Sequence, residues 1–221
     1  LHVSQCRAVF DDVAAAGSQP APPAPKPQVP AFSVKTWDGI AGSASGFFRV
    51  EKVDDKWWCL APNGQGFYAI GTDHCNFAGH WCEKLGYNPH GRKNEQKYPS
   101  RNAWAEETVQ RLSSWGFNLV AAGHSEQLRH RGLAHTLWLG VGSEFSSISD
   151  IVPKVHWTGV PNVFDPRFAA FCKIRARQIL ADHVEDPWIF GIFIDNELEW
   201  YGKVYSPGGV FDEAMKKAPD H

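Results

Sequence analysis

Trp188-Ile189-Phe190-Gly191-Ile192-Phe193-Ile194 runs directly into Asp195-Asn196-Glu197-Leu198-Glu199-Trp200. Seven successive positions without a polar residue, and with no alternation, describe a strand covered on both faces, as in a parallel sheet wrapped by helices. The abrupt change to acids and an amide marks the carboxyl end of that strand. Asp186-Pro187 stands just ahead of it and stops the preceding helix, because a residue before proline resists the helical region. That helix opens at Asp165-Pro166, an acid at the N-cap with proline at the first helical position, and runs to about Val184.

Toward the amino terminus the same unit repeats. Residues 67–71, 117–121 and 133–141 read as apolar strands. The first ends at Thr72-Asp73-His74 and the second at Gly123-His124-Ser125; the third leads into a long loop over 142–164 that holds Glu144, His156 and Trp157. Between the first two lies a helix capped by Ser100, with Trp104, Thr108, Leu112 and Trp115 on one face and Gly116 at its end. A shorter helix over 125–131 stops at Gly132. Ahead of these, residues 47–53 and 56–60 form a hairpin turning at Asp54-Asp55.

This pattern predicts an α/β fold: the amino-terminal half, strands one to four, of a (β/α)8 TIM barrel, with the hairpin as a cap on its amino-terminal end. A doubly wound open sheet is the alternative, but neither a Gly-x-Gly-x-x-Gly fingerprint nor a phosphate-binding loop is present. The barrel half occupies 31–221. It is preceded by a Pro-rich linker over 19–30 and by an arm or upstream-domain tail over 1–18, whose apolar residues fall near helical spacing.

The 221 residues carry 22 Lys+Arg against 24 Asp+Glu, a net charge of −2, which gives no electrostatic footprint for nucleic acid or an anionic membrane. No apolar run approaches the ~18–20 residues that cross a bilayer. Ten Trp and ten His beside a single Met suit a sugar-lined cleft better than a phosphate site. Five Cys leave at least one thiol without an internal partner, while Cys75 and Cys82 are close enough in sequence to bridge. His74, Cys75, His80 and Cys82 match no standard zinc spacing, so neither metal nor cofactor is expected. The chain starts at Leu1 with no signal-peptide pattern, as a processed or partial polypeptide would.

Catalytic groups of such barrels stand at the carboxyl ends of the strands. Glu197 lies there, and walls of Trp200 and Tyr201 would favour its protonated form. A carboxylic acid so placed can protonate a leaving oxygen, the acid step of glycoside hydrolysis. Asn196 can donate to a sugar hydroxyl. Adjacent residues of a regular strand face opposite ways, so both serve one substrate only if the strand ends or bulges there. Asp73, His74 and Asn76, then His124, then Glu144 follow the other strands as candidate sugar contacts, and Trp200 is the candidate stacking platform.

The segments Gly46-Phe47-Phe48-Arg49-Val50-Glu51-Lys52-Val53, Lys56-Trp57-Trp58-Cys59-Leu60-Ala61-Pro62-Asn63-Gly64 and Phe67-Tyr68-Ala69-Ile70-Gly71 resemble the start of the catalytic barrel of agarase-type glycoside hydrolases. Trp115-Gly116-Phe117-Asn118, Asp186-Pro187-Trp188-Ile189-Phe190-Gly191 and Asp195-Asn196-Glu197-Leu198-Glu199-Trp200 continue the likeness over about residues 37–205. The resemblance implies a retaining (β/α)8 glycosidase clan, with Glu197 as general acid/base and Asn196 as its sugar-binding neighbour. It also implies a carbohydrate substrate and a secreted or periplasmic location. In that clan the nucleophile comes from strand seven, so the expectation is a second polypeptide carrying strands five to eight. A β-galactosidase of the same clan, a noncatalytic carbohydrate-binding half-barrel and a zinc hydrolase remain as alternatives.

Overall fold

The computed structural model describes residues 29–202 and 208–216; the arm and most of the Pro-rich linker lie outside them. Four strands come first: β1 (Trp37–Ala41), β2 (Arg49–Val53), β3 (Lys56–Leu60) and β4 (Gln65–Gly66). They form an antiparallel sheet in the order β1-β4-β3-β2. The β2–β3 hairpin turns at Asp54 and Asp55 with φ of 48° and 64°. Two left-handed residues make the mirror-image turn that matches strand twist, and the short acid side chain tolerates it.

Next come β5 (Gly71–Thr72), α1 (Pro89–Lys97), α2 (Arg101–Ser114), β6 (Leu119–Val120), β7 (Ala134–Trp138) and α3 (Val141–Phe145). They are followed by β8 (Asp150–Val155), β9 (Thr158–Pro161), α4 (Phe168–Leu180), β10 (Ile189–Phe193) and α5 (Val210–Lys216). The second sheet, β5-β6-β7-β10, is parallel throughout, and its four strands lie side by side in chain order, with the separate β8–β9 hairpin inserted before the last.

Two cores hold this sheet. Leu119 and Val120 are neighbours on β6 and therefore face opposite sides. Val120 joins Trp104, Val109 and Leu112 of α2, with Leu128 and Leu133, on one face. Leu119 joins Ala134 and Trp188 at the amino-terminal ends of the strands, where Phe67, Ala61 and Val34 close over them. Phe48, on the hairpin side, meets Phe67 at 4.8 Å and Phe190 at 5.4 Å between ring centroids. The antiparallel sheet thus caps the amino-terminal end, as the sequence predicts. Trp188 is 1% exposed, and its indole N–H donates to Pro30 O at 2.8 Å.

Ser100 caps α2 by accepting the Ala103 N–H at 3.1 Å, and Gly116 ends it at a φ of 88°. Asn118 stitches the strands together. Its Oδ1 accepts the Ile70 N–H at 2.8 Å, its Nδ2 donates to Tyr68 O at 2.9 Å, and its carbonyl accepts the Ala134 N–H at 2.9 Å.

Four expectations need correction. Trp115 is 65% exposed, because it falls at the C-cap, where the helical face ends. Residues 125–131 contain only a 3-10 turn, Glu126–Leu128. The segment 142–164 is not a loop: it holds α3 and the β8–β9 hairpin. Finally, the 188–194 run is not covered on both faces. It is buried at Trp188 but open at Ile192, Phe193 and Ile194, because β10 is an edge strand whose far side has no partner strand among the described residues.

Candidate functional site

The carboxyl ends of β5, β6 and β10 border one hollow of about 500 Å³, lined by Gly71, Thr72, Asp73, Leu119, Ala121 and Phe193. Residues from the first and last strands of a sheet share a hollow only if the sheet curves around it. On β7 and β10, Trp138 and Phe193 stack with their centroids 5.9 Å apart and planes 19° from parallel. Both rings are partly exposed. A second cleft of about 280 Å³ lies beyond β10, between Thr158, Glu197, Glu199, Trp200 and Tyr201.

The backbone after β10 does what two neighbouring site residues require. The strand stops at Phe193, the chain bends at Asn196, and Glu197 takes a φ of 49°. A left-handed, non-glycine residue is costly and marks a place where surrounding contacts impose the conformation. Trp157 supplies one such contact: its indole N–H donates to Glu197 Oε2 at 2.9 Å. Trp157 stands at the tip of the β8–β9 hairpin, next to His156, whose own φ is 55°. The wall expected around Glu197 is absent: Glu197, Trp200 and Tyr201 are all exposed. Trp157 is the site residue the sequence reading missed, since nothing local links it to a group 40 positions away.

Asp195 is committed elsewhere. Its two carboxylate oxygens accept the N–H groups of Gly142 and Ser143 at 2.7 and 2.8 Å, at the start of α3. A Cβ on Gly142 would lie 2.7 Å from Asp195 Oδ2, so glycine is needed for this approach. Glu199 is buried.

The other candidates are dispersed. Asp73 is exposed on the hollow, with His74 Nδ1 3.3 Å from its Oδ2. His74 has a φ of 50°, donates its N–H to Ala122 O and packs its ring against His80. The Asn76 side chain ties its own loop, donating to His74 O and Gly123 O and accepting the Gly79 N–H. Glu144 sits on α3 with Lys154 at 3.4 Å. Both ring nitrogens of His124 are engaged: Nδ1 with Ala121 O at 2.6 Å, and Nε2 accepting from Arg129 Nε at 3.0 Å. Burial pushes the His124 imidazole below its ordinary value, and the Arg129 charge adds to the effect. Cys75 and Cys82 remain separate thiols. Among the described residues, His74, Cys75, His80 and Cys82 do not bring their ligand atoms together.

No protein-family model matches the chain. It is similar to Beta-agarase B of Vibrio sp. (strain JT0107), with 23% identity over 82% of this chain and 26% of that protein. It is also similar to Beta-agarase A of the same strain, with 27% identity over 47% of this chain and 11% of that one. The chain therefore spans about a quarter or less of these relatives. Among solved structures, an agarase, AgWH50C, superposes with a TM-score of 0.55 at 20% identity, covering 97% of this chain and 38% of its own. BpGH50 gives 0.55 at 20% identity over 76% of this chain and 37% of its own, and an exo-beta-agarase gives 0.53 at 18% over 74% and 33%. The α/β fold is thus one shared with agarase structures. Among the described residues, no helix is long and apolar enough to cross a membrane.

Proposed function

We propose that this chain is the amino-terminal half of a retaining (β/α)8 glycosidase barrel acting on β-linkages of a galactose-containing, agarose-type polysaccharide or oligosaccharide. The observation that carries the reading is Glu197. It stands at the carboxyl end of the fourth parallel strand, strained into a left-handed conformation and held by Trp157. The similarity to agarases supports the substrate class, and the sequential parallel sheet supports the barrel.

In this mechanism Glu197 gives its proton to the leaving glycosidic oxygen and later takes one from the attacking water. The Trp157 indole fixes one carboxyl oxygen and leaves the other for the substrate. Asn196 donates to a sugar hydroxyl, while Trp200 and the Trp138–Phe193 pair offer stacking faces. Asp73, His74, Asn76, His124 and Glu144 contribute to the rim of the substrate channel. The nucleophile must stand ~5–5.5 Å from Glu197. Asp195 is held by α3, so we assign the nucleophile to strand seven of the completed barrel, whose strands five to eight would also cover the open side of β10. Polymer degradation places the enzyme outside the cytoplasm, secreted or periplasmic.

The test is agaro-oligosaccharide hydrolysis by the completed barrel. Glu197→Gln is expected to lower turnover by about 10²–10⁴-fold with sugar affinity retained. Unchanged turnover would overturn the assignment. A second reading, a noncatalytic sugar-binding module, is favoured by the exposure of Glu197 together with Trp157, Trp200 and Tyr201. It predicts saturable sugar binding by this chain, no second polypeptide, and no hydrolysis under any assembly.

A further inference from the structure

At the amino-terminal end of the parallel sheet, away from Glu197, histidines gather around one buried acid. His135, the second residue of β7, lies directly opposite Val120 of β6. Cross-strand partners point the same way, so His135 turns to the face that packs against α2. It is 0% exposed, and neither of its ring nitrogens has a hydrogen-bond partner. A buried polar atom without a protein partner is costly, and in a native fold it is met by water or an ion or has a functional reason.

The nearest group to it is Asp186, on the turn that leads into β10. Asp186 Oδ2 lies 3.6 Å from His135 Nε2, 2.8 Å from His130 Nε2 and 3.5 Å from His183 Nδ1. The ligand atoms of His130, His135 and Asp186 all fall within 4.8 Å of one another. His130 reaches this point from a backbone φ of 60°, a left-handed setting uncommon outside glycine that histidine tolerates better than most residues. Asp186 Oδ1 accepts the Trp188 N–H at 2.9 Å, which anchors the carboxylate and leaves Oδ2 directed at the histidines.

We propose that His130, His135 and Asp186 form a structural site for a divalent transition metal, zinc by its donor chemistry. Two imidazoles and one carboxylate are three of the four donors of a tetrahedral zinc site, in which ligand atoms sit ~3.4 Å apart given metal bonds of about 2.0–2.2 Å. The His130 and His135 nitrogens, 2.8 and 3.6 Å from Asp186 Oδ2, lie either side of that spacing. Protonation states agree. Burial pushes His135 down to about 3, so the imidazole is neutral and one ring nitrogen has a lone pair free for a metal. Burial alone would raise the Asp186 carboxyl, but hydrogen bonds from His130 and the Trp188 N–H, with the neighbouring imidazole charges, hold it below its ordinary value and anionic. A metal bound at His130 Nε2 takes the place of the hydrogen bond between that nitrogen and Asp186 Oδ2. The Arg129 guanidinium also acts on His135 and Asp186, but its Nε donates to His124 Nε2 and its Nη1 lies 3.8 Å from Glu126. His135 and Asp186 are sealed from solvent and His183 Nδ1 stands 3.5 Å from Asp186 Oδ2, so the ion serves structure. It ties the β6–β7 connection and the α4–β10 turn to β7.

The experiment uses the full chain, freed of metal with a chelator and titrated with Zn²⁺ by calorimetry and with Co²⁺ by visible absorption. One tight ion per chain is expected, with a tetrahedral cobalt spectrum lacking a thiolate charge-transfer band. His135→Ala should weaken Zn²⁺ binding by at least ~100-fold, since even outer partners of a metal ligand are worth 10–100-fold. His130→Ala, at a half-buried ring that the fold tolerates losing, should do the same, and Cys82→Ser should leave affinity unchanged. Absence of stoichiometric binding would overturn the proposal. So would binding that survives both histidine substitutions, or binding lost in Cys82→Ser with a thiolate band in the parent.

Discussion

At the carboxyl-terminal end of the parallel sheet, Asn196, Glu197, Trp200 and Asp73 stand open to water; at the other end Trp188, His135 and Asp186 are sealed from it. The same four strands build both. At the open end, polar side chains spend their hydrogen bonds on loops and leave faces for a ligand. At the sealed end, Trp188, Phe67 and Leu119 are packed together, and the antiparallel cap lies over the strand starts. Changes at the first end should alter chemistry and spare the fold. Changes at the second should alter the fold and spare the chemistry.

Four measurements press on this division. The largest effect is expected from Glu197→Gln, whose loss of turnover should come with no change in the urea midpoint of unfolding. A large shift of that midpoint would erase the distinction between the ends. Trp188→Ala should cost about 3–5 kcal/mol in urea unfolding, combining the lost burial, the cavity and the bond to Pro30. Sugar affinity of the protein that remains folded should be unaltered.

Acid should act through the sealed end. The unfolded chain protonates His135 near its ordinary value of about 6.5, whereas burial holds the folded group down to about 3. Below about pH 6.5 the unfolded state binds a proton that the folded state refuses, so stability is full above that value and falls as pH drops toward 3. The slope is at most about 1.4 kcal/mol per pH unit for this one group. Urea midpoints of chelator-treated protein between pH 7.5 and 4.5 should show the fall, and His135→Leu should flatten it. The smallest effect belongs to Trp157→Phe. Removing one exposed hydrogen bond to Glu197 should lower kcat about 3–10-fold, with little change in KM or stability.

Some of this is written in local pattern. The change from Ile194 to Asp195 placed the end of a strand, Asp54-Asp55 placed a hairpin turn, and Ser100 and Gly116 placed the limits of α2. Each of these rests on the preferences of a few adjacent residues. The β8–β9 hairpin escaped notice because its turn, His156-Trp157, has neither glycine nor asparagine, and because Pro153 and Pro161 sit within its strands. The role of Asp195 stays hidden in local sequence because its partners, Gly142 and Ser143, are more than 50 residues away.

The order of apolar and polar runs was enough to anticipate a parallel α/β sheet, since strand burial and helix caps are properties of short windows. Three matters were left to the tertiary structure. It decided that β10 is half open, that Trp157 holds Glu197, and that His130, His135, His183 and Asp186 meet. These depend on which side of which strand each residue occupies once the sheet has curved, and no window of sequence contains that distance.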